Sequence, residues 1–98
     1  MHARVSYIEA QPDRVDAVVR AARDDALPTV RSQDGWKGFT VLVDRSSGRT
    51  VGISFWESEE AMRASEDAVE GSRRQAAEAG GGPEPRVHHF EVAIDETA

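Results

Sequence analysis

Hydrophobic side chains recur at every second position in two neighbouring stretches, Phe39-Val41-Val43 and Val51-Ile53-Phe55, which is the period of a β-strand. The intervening Asp44-Arg45-Ser46-Ser47-Gly48 is turn chemistry, with Gly48 free to take a positive φ, so the pattern predicts a hairpin of strands 37–44 and 49–56. Residues 2–9 read as an earlier strand, with Ala3, Val5 and Tyr7 on one face and Arg4, Ser6 and Ile8 on the other. Between these strands the period lengthens. Val15, Val18, Val19, Ala22 and Ala26 follow helical spacing, and Pro12 suits the first turn, where its missing amide costs nothing. Pro28 is expected to end this helix or to start a short second one through Arg31. After the hairpin, Ser58 is placed to cap a helix whose first turn carries Glu59 and Glu60, favoured there by the helix dipole. Ser65-Glu66-Asp67 looks like a fresh N-terminus, so the region divides into helices 58–65 and 67–79, stopped by Gly80-Gly81-Gly82. A last strand, 86–94, puts Val87 and His89 on one face and His88, Phe90, Val92 and Ile94 on the other.

The order β-α-β-β-α-β predicts an α+β fold, a ferredoxin-like antiparallel sheet with the helices packed on one face, in a single domain over 1–98. Strand residues on both faces are apolar, and the helices cover only one. The bare face exceeds what soluble monomers usually expose, so a two-fold homodimer closing sheet against sheet is expected. The alternative is a monomer with a partly apolar sheet surface.

Composition narrows the partners. The chain has 98 residues, 39% hydrophobic and 31% charged, a balance that argues for a folded protein with one modest core. The net charge of −6 repels a phosphate backbone, so nucleic acid is not an expected partner; Arg73-Arg74 reads as a solvated helix face. With no cysteine, disulfides and thiolate chemistry are excluded. No apolar run approaches the roughly 20 residues of a membrane span, and no signal-peptide core is visible, so the cytoplasm is the expected location and no membrane partner is expected.

Gly35-Trp36-Lys37-Gly38-Phe39, the hairpin, Phe55-Trp56-Glu57-Ser58-Glu59-Glu60-Ala61-Met62 and Ser65 together resemble the antibiotic biosynthesis monooxygenase superfamily of dimeric α+β barrel proteins. The resemblance spans Arg4 to Ile94. It implies a barrel formed by two sheets across a dimer interface, and a ligand pocket in each subunit between sheet and helices. Members include cofactor-free oxygenases of polycyclic phenols and haem-degrading enzymes. The haem-degrading branch carries an asparagine on the first strand, a tryptophan in the following helix and a histidine about one helix further on. Those places hold Arg4, Ser65 and Gln75 here, so haem degradation is not expected.

Cofactor-free oxygenation needs a dry pocket, orientation, and a base or an anion-stabilising group. Arg4 is a candidate for stabilising a phenolate and Ser6 for orienting it; the competing reading pairs Arg4 with a helix carboxylate such as Asp24. Trp56, beside Gly52 and Ser54, would stack on a flat aromatic ligand or anchor the core. Trp36 reads as a lid or interface residue in contact with substrate. Tyr7 is a candidate donor to a substrate carbonyl, or an interface residue. His88 or His89 would serve as general base, and adjacent strand positions allow only one to enter a given pocket. No metal is expected: His2 is expected to stand about six residues, or roughly 20 Å, from His88 and His89 along paired strands. The acidic pairs Asp24-Asp25 and Glu59-Glu60 diverge on their helices. The sequence therefore points to a monooxygenase-like protein acting on an aromatic or polyketide-like molecule without a cofactor. The alternatives are a non-catalytic ligand-binding or stress-related dimer, and a lactone isomerase or cyclase on the same scaffold.

Overall fold

A computed structural model describes residues 1–97. Its elements are β1 (His2–Glu9), α1 (Val15–Ala21), α2 (Leu27–Arg31), β2 (Trp36–Val43), β3 (Arg49–Trp56), α3 (Glu59–Ala64), α4 (Glu66–Ala79) and β4 (Arg86–Glu91). The four strands form one sheet in the order β2-β3-β1-β4, with every neighbouring pair antiparallel. This is the ferredoxin-like α+β arrangement expected from the sequence.

The local chemistry behaves as the residues dictate. Gly48 closes the hairpin at φ +83°; a Cβ there would fall 1.9 Å from the Ala10 carbonyl oxygen, so no other residue fits. The Ser58 side chain accepts from the Ala61 amide at 3.1 Å and caps α3. Ser65 separates α3 from α4 at the expected break.

One boundary follows an expected alternative and one differs. Pro28 stands in the first turn of a short second helix, α2, that ends at Arg31, and the helical run is unbroken up to it. Residues Ala22–Ala26 form a π-turn in which the Leu27 amide reaches back to the Ala22 carbonyl. A wider turn relieves the clash that a proline ring makes with the carbonyl four residues earlier, and α2 continues through it. Thr29 Oγ1 then donates to the Asp25 carbonyl at 2.9 Å. At the other end, β4 stops at Glu91 rather than residue 94. Its pairing with β1 ends at His2–Glu91, followed by one bond from the Val92 amide to the Met1 carbonyl, so Val92 and Ile94 lie outside the ladder.

Register assigns the two faces. Arg4 pairs with Ser54 and His89, Ser6 with Gly52 and Val87, and Phe39 and Val41 with Ser54 and Gly52; these positions face the helices. Val5 pairs with Ile53 and His88, Tyr7 with Val51 and Arg86, and Leu42 with Val51; these face away. The core lies on the helix side in two clusters. Ile8, Ala10, Val15, Val18, Ala76 and Ala77 form one, and Val30, Trp56, Met62 and Val69 the other.

Candidate functional site: a cavity between sheet and helices

A cavity of about 60 Å³ lies between the two clusters. Its floor is the helix-facing side of the sheet: Arg4, Ser6 and Ile8 of β1, Phe39 and Val41 of β2, and Thr50, Gly52 and Ser54 of β3. The opposite wall comes from Val18 of α1, Ala22 and Ala26 of the π-turn, Val30 of α2, and Val69, Ser72, Arg73 and Ala76 of α4. Gly52 leaves space above the sheet, since a Cβ there would meet nothing within 4 Å. Most of this wall is hydrocarbon, with charge confined to Arg4 and Arg73.

Arg4 is only 2% exposed. Its Nη2 donates to the Met62 carbonyl oxygen and to Ser65 Oγ, the latter at 3.0 Å, while Ser65 Oγ donates to the same carbonyl at 2.7 Å. Nε stands 2.8 Å from Glu66 Oε2, an ion pair lying off the hydrogen-bond axis, and Nη1 is buried with no partner. The guanidinium carbon also lies 5.6 Å from the centre of the Trp56 ring. The carboxylate partner is therefore Glu66 rather than Asp24, because α4, not the first helix, crosses the end of β1 that bears Arg4. Glu66 Oε1 in turn meets Arg73 Nη2 at 2.5 Å. Burial pushes the Arg4 guanidinium below its usual range and the Glu66 charge opposes this; the group remains a cation. Burial alone would raise the Glu66 carboxyl, but the hydrogen bond from Arg73 and the charges of Arg4 and Arg73 outweigh it and hold it below the usual range.

Of the seven candidates, the structure brings Arg4 and Ser6 to the cavity and places the other five elsewhere. Trp56 is fully buried in the second cluster, its Nε1 donating to Ser54 Oγ at 2.8 Å, so it is a core anchor rather than a stacking wall. Trp36 packs against that same cluster, its Nε1 buried without a partner. Tyr7 lies on the other sheet face, beside a second depression of about 430 Å³ shared with Leu42, Val51 and Arg86. His88 is on that face too, edge-on to Tyr7 at 5.7 Å and stacked on Phe90 at 6.3 Å. His89 stands opposite Arg4 on the helix side but is exposed at the sheet edge, outside the cavity wall. Partial burial of the ring, followed by the Arg4 charge, lowers its pKa below the ordinary 6.5 and disfavours the protonated form.

The expected distance between His2 and the other histidines is corrected by the register. His2 pairs with Glu91, two residues from His89, so the two are diagonal neighbours on one face. Among the described residues, no three His, Cys, Asp or Glu side chains converge on a metal position.

Arg73, Thr50 and Ser72 also line the cavity; the sequence suggested a solvated face for Arg73 and gave no role to Thr50 or Ser72. A signal existed: Val69, Ser72, Arg73 and Ala76 follow i, i+3, i+4, i+7 spacing and share one face of α4. Arg73 is 12% exposed at its side chain and turned inward, whereas Arg74 is solvated beside Glu70, so the solvated-face reading holds for only one of the pair.

The sequence model of the antibiotic biosynthesis monooxygenase family matches residues 1–78, and the chain belongs to that family. Two uncharacterised proteins of Mycobacterium tuberculosis are 40% and 42% identical to it over 93 and 94 residues, which is 95% and 96% of this chain. The chain spans about two fifths of the length of these relatives, 41% and 39%. A Streptomyces coelicolor monooxygenase from the gene ActVA-Orf6, solved with nanaomycin D, superposes with a TM-score of 0.74 at 20% identity, covering 98% of this chain and 92% of that one. The heme-degrader MhuD of Mycobacterium tuberculosis, solved with two hemes in its active site, gives 0.74 at 22% identity over 99% and 100%. At such identities the likeness shows the fold alone. Two of the three positions compared above for haem degradation, Arg4 and Ser65, are here bonded to each other, and Gln75 is exposed on α4. No helix is long and apolar enough to cross a membrane among the described residues.

Proposed function

We propose that this protein binds a flat aromatic or polyketide-like molecule in the cavity between sheet and helices, and oxygenates it with dioxygen without a tightly held cofactor. The observation that carries this reading is the cavity itself: a partly open, largely hydrocarbon-lined space with one buried guanidinium, Arg4, whose Nη1 has no partner. A phenolic or enolic ligand held there would be stabilised as its anion, the form that passes an electron to dioxygen. For an anthrone-type substrate the methylene carbon takes one oxygen atom and becomes a carbonyl. The second oxygen leaves as water with the two methylene hydrogens, so the substrate is the reductant. The cavity is smaller than the roughly 150 Å³ void that accommodates a single benzene ring. A ring therefore enters by widening the wall or by projecting from the mouth.

The functional unit in this reading is a homodimer. Leu42 and Phe90, 53% and 48% exposed, stand with Val51, Ile53 and Phe55 on the sheet face that no helix covers, and a second copy would remove them from water.

One observation favours the non-catalytic alternative, a ligand-binding module: neither His88 nor His89 forms part of the cavity wall, so no imidazole base meets the ligand. Oxygen uptake by purified protein with an anthrone-type substrate in air decides between them. Consumption abolished in Arg4→Met supports the oxygenase. Binding without consumption supports the module, and a rearranged product without oxygen uptake supports an isomerase or cyclase.

A further inference from the structure

We propose that the cavity selects ligands by charge, taking an apolar body that carries a single negative group, a phenolate or a carboxylate, between Arg4 and Arg73. This rests on the cavity being the ligand site and adds which chemical form the site accepts. Arg4, Arg73 and Glu66 form one connected cluster, in which two cations and one anion leave a single uncompensated positive charge. Both arginines are wall residues, whereas Glu66 lies behind them. Of the five N–H donors of the Arg4 guanidinium, those on Nη2 are taken by the Met62 carbonyl and Ser65 Oγ; Nε only pairs by charge with Glu66, and Nη1 is buried with no acceptor.

A buried donor without a partner retains its full desolvation cost, and an acceptor arriving in a low-dielectric enclosure recovers it. The apolar part of the wall offers no acceptor, and the hydroxyls of Ser6, Thr50, Ser54 and Ser72 in it are not bonded to Nη1. A charged acceptor gains more than a neutral one, because the hydrogen bond is charge-assisted and one positive charge stands unneutralised. The same count limits the ligand to one negative charge: a dianion would meet the Glu66 carboxylate just behind the arginines with nothing to offset the second charge. Ser6, two residues from Arg4 on the same strand face, adds a hydroxyl about 7 Å along the floor. His89, His2, Arg63 and Glu59 are charged or titratable groups near the cluster; burial and the Arg4 charge disfavour the protonated form of His89, Arg63 is held by Glu59 at 2.9 Å, and His2 stands 3.9 Å from the same carboxylate.

The test uses 4-nitrophenol, whose neutral and ionised forms absorb at different wavelengths, and its neutral congener 4-nitroanisole, titrated against the full chain. The expected result is preferential binding of the phenolate by about tenfold, read as a fall of roughly one unit in the apparent pKa of bound nitrophenol. Nitroanisole should bind more weakly. Glu66→Gln should deepen the pKa fall, because it removes the one negative charge of the cluster, and Arg73→Met should reduce it. Arg4→Met should abolish it; should that variant fail to fold, Glu66→Gln and Arg73→Met decide, and no change in either overturns the proposal. A raised pKa on binding, the mark of a neutral ligand in an apolar hole, overturns charge selection while leaving the cavity as the ligand site. Absence of binding by both congeners overturns the cavity reading and this proposal together.

Discussion

The two faces of the sheet are built from the same four strands and obey opposite rules. On the helix side, Trp56, Arg4, Ser54 and Thr50 are all at or below 5% exposure, and most polar groups are tied to named partners, Arg4 Nη1 and Trp36 Nε1 excepted. On the bare side Leu42 and Phe90 are about half exposed, and Tyr7, His88 and Phe90 contact one another as rings without a hydrogen-bonded scaffold. The covered face is thus a finished interior within one chain. The bare face has the composition of an interior and lacks a second layer. Side chains alternate between the faces with the strand period, but buried side-chain hydrogen bonds such as Trp56–Ser54 and Arg4–Ser65 form where a helix closes the layer.

The largest effect should come from Trp56→Ala, which empties the centre of the second cluster and should cost about 3–5 kcal/mol in equilibrium denaturation. The comparable truncation on the bare face, Phe90→Ala, should cost much less in the isolated chain; equal costs would break the contrast. Arg4→Ala leaves Glu66 without its buried partner and should cost about 2–4 kcal/mol, reduced by the access of Glu66 to water. Leu42→Asp with Phe90→Asp should leave the fold of a single chain within about 1 kcal/mol, yet lower the mass in light scattering from two chains to one. A wild-type mass of one chain at micromolar concentration would refute the homodimer outright. The smallest effect is on acid stability. The Glu66 carboxyl is held below 4.5, so its contribution is complete above that value and is lost as pH falls beneath it; Glu66→Gln should flatten this acid limb of the stability profile.

Strand and helix order, the hairpin turn, the Ser58 cap and the break at Ser65 were legible because each depends on contacts within a few residues. The face shared by Arg4 and Ser6 was legible from alternation. Which histidine shares that face was not, since it depends on the register between β1 and β4, and two neighbouring strand positions look alike in sequence. The partner of Arg4 was hidden for a similar reason: Glu66 is 62 positions away, and only the crossing of α4 over β1 brings it within 2.8 Å. Arg73 was misread because its neighbour Arg74 is solvated, and the inward face of α4 emerges only when Val69, Ser72, Arg73 and Ala76 are read at helical spacing. The role of Trp56 turned on depth. Its ring is sealed by Val30, Met62 and Val69, which come from three separate helices.

The π-turn ahead of Pro28 has a mechanical consequence. A ladder of paired strands resists stretching, because β1 and β3 are pinned on both sides, whereas a turn containing a surplus residue has slack to give. Ala22 and Ala26 sit on that turn and also border the cavity. If the cavity takes a guest as proposed, tightening or loosening the coil there would alter the volume available to it while the strands stay in register, so the give would come from the helical roof and not from the floor.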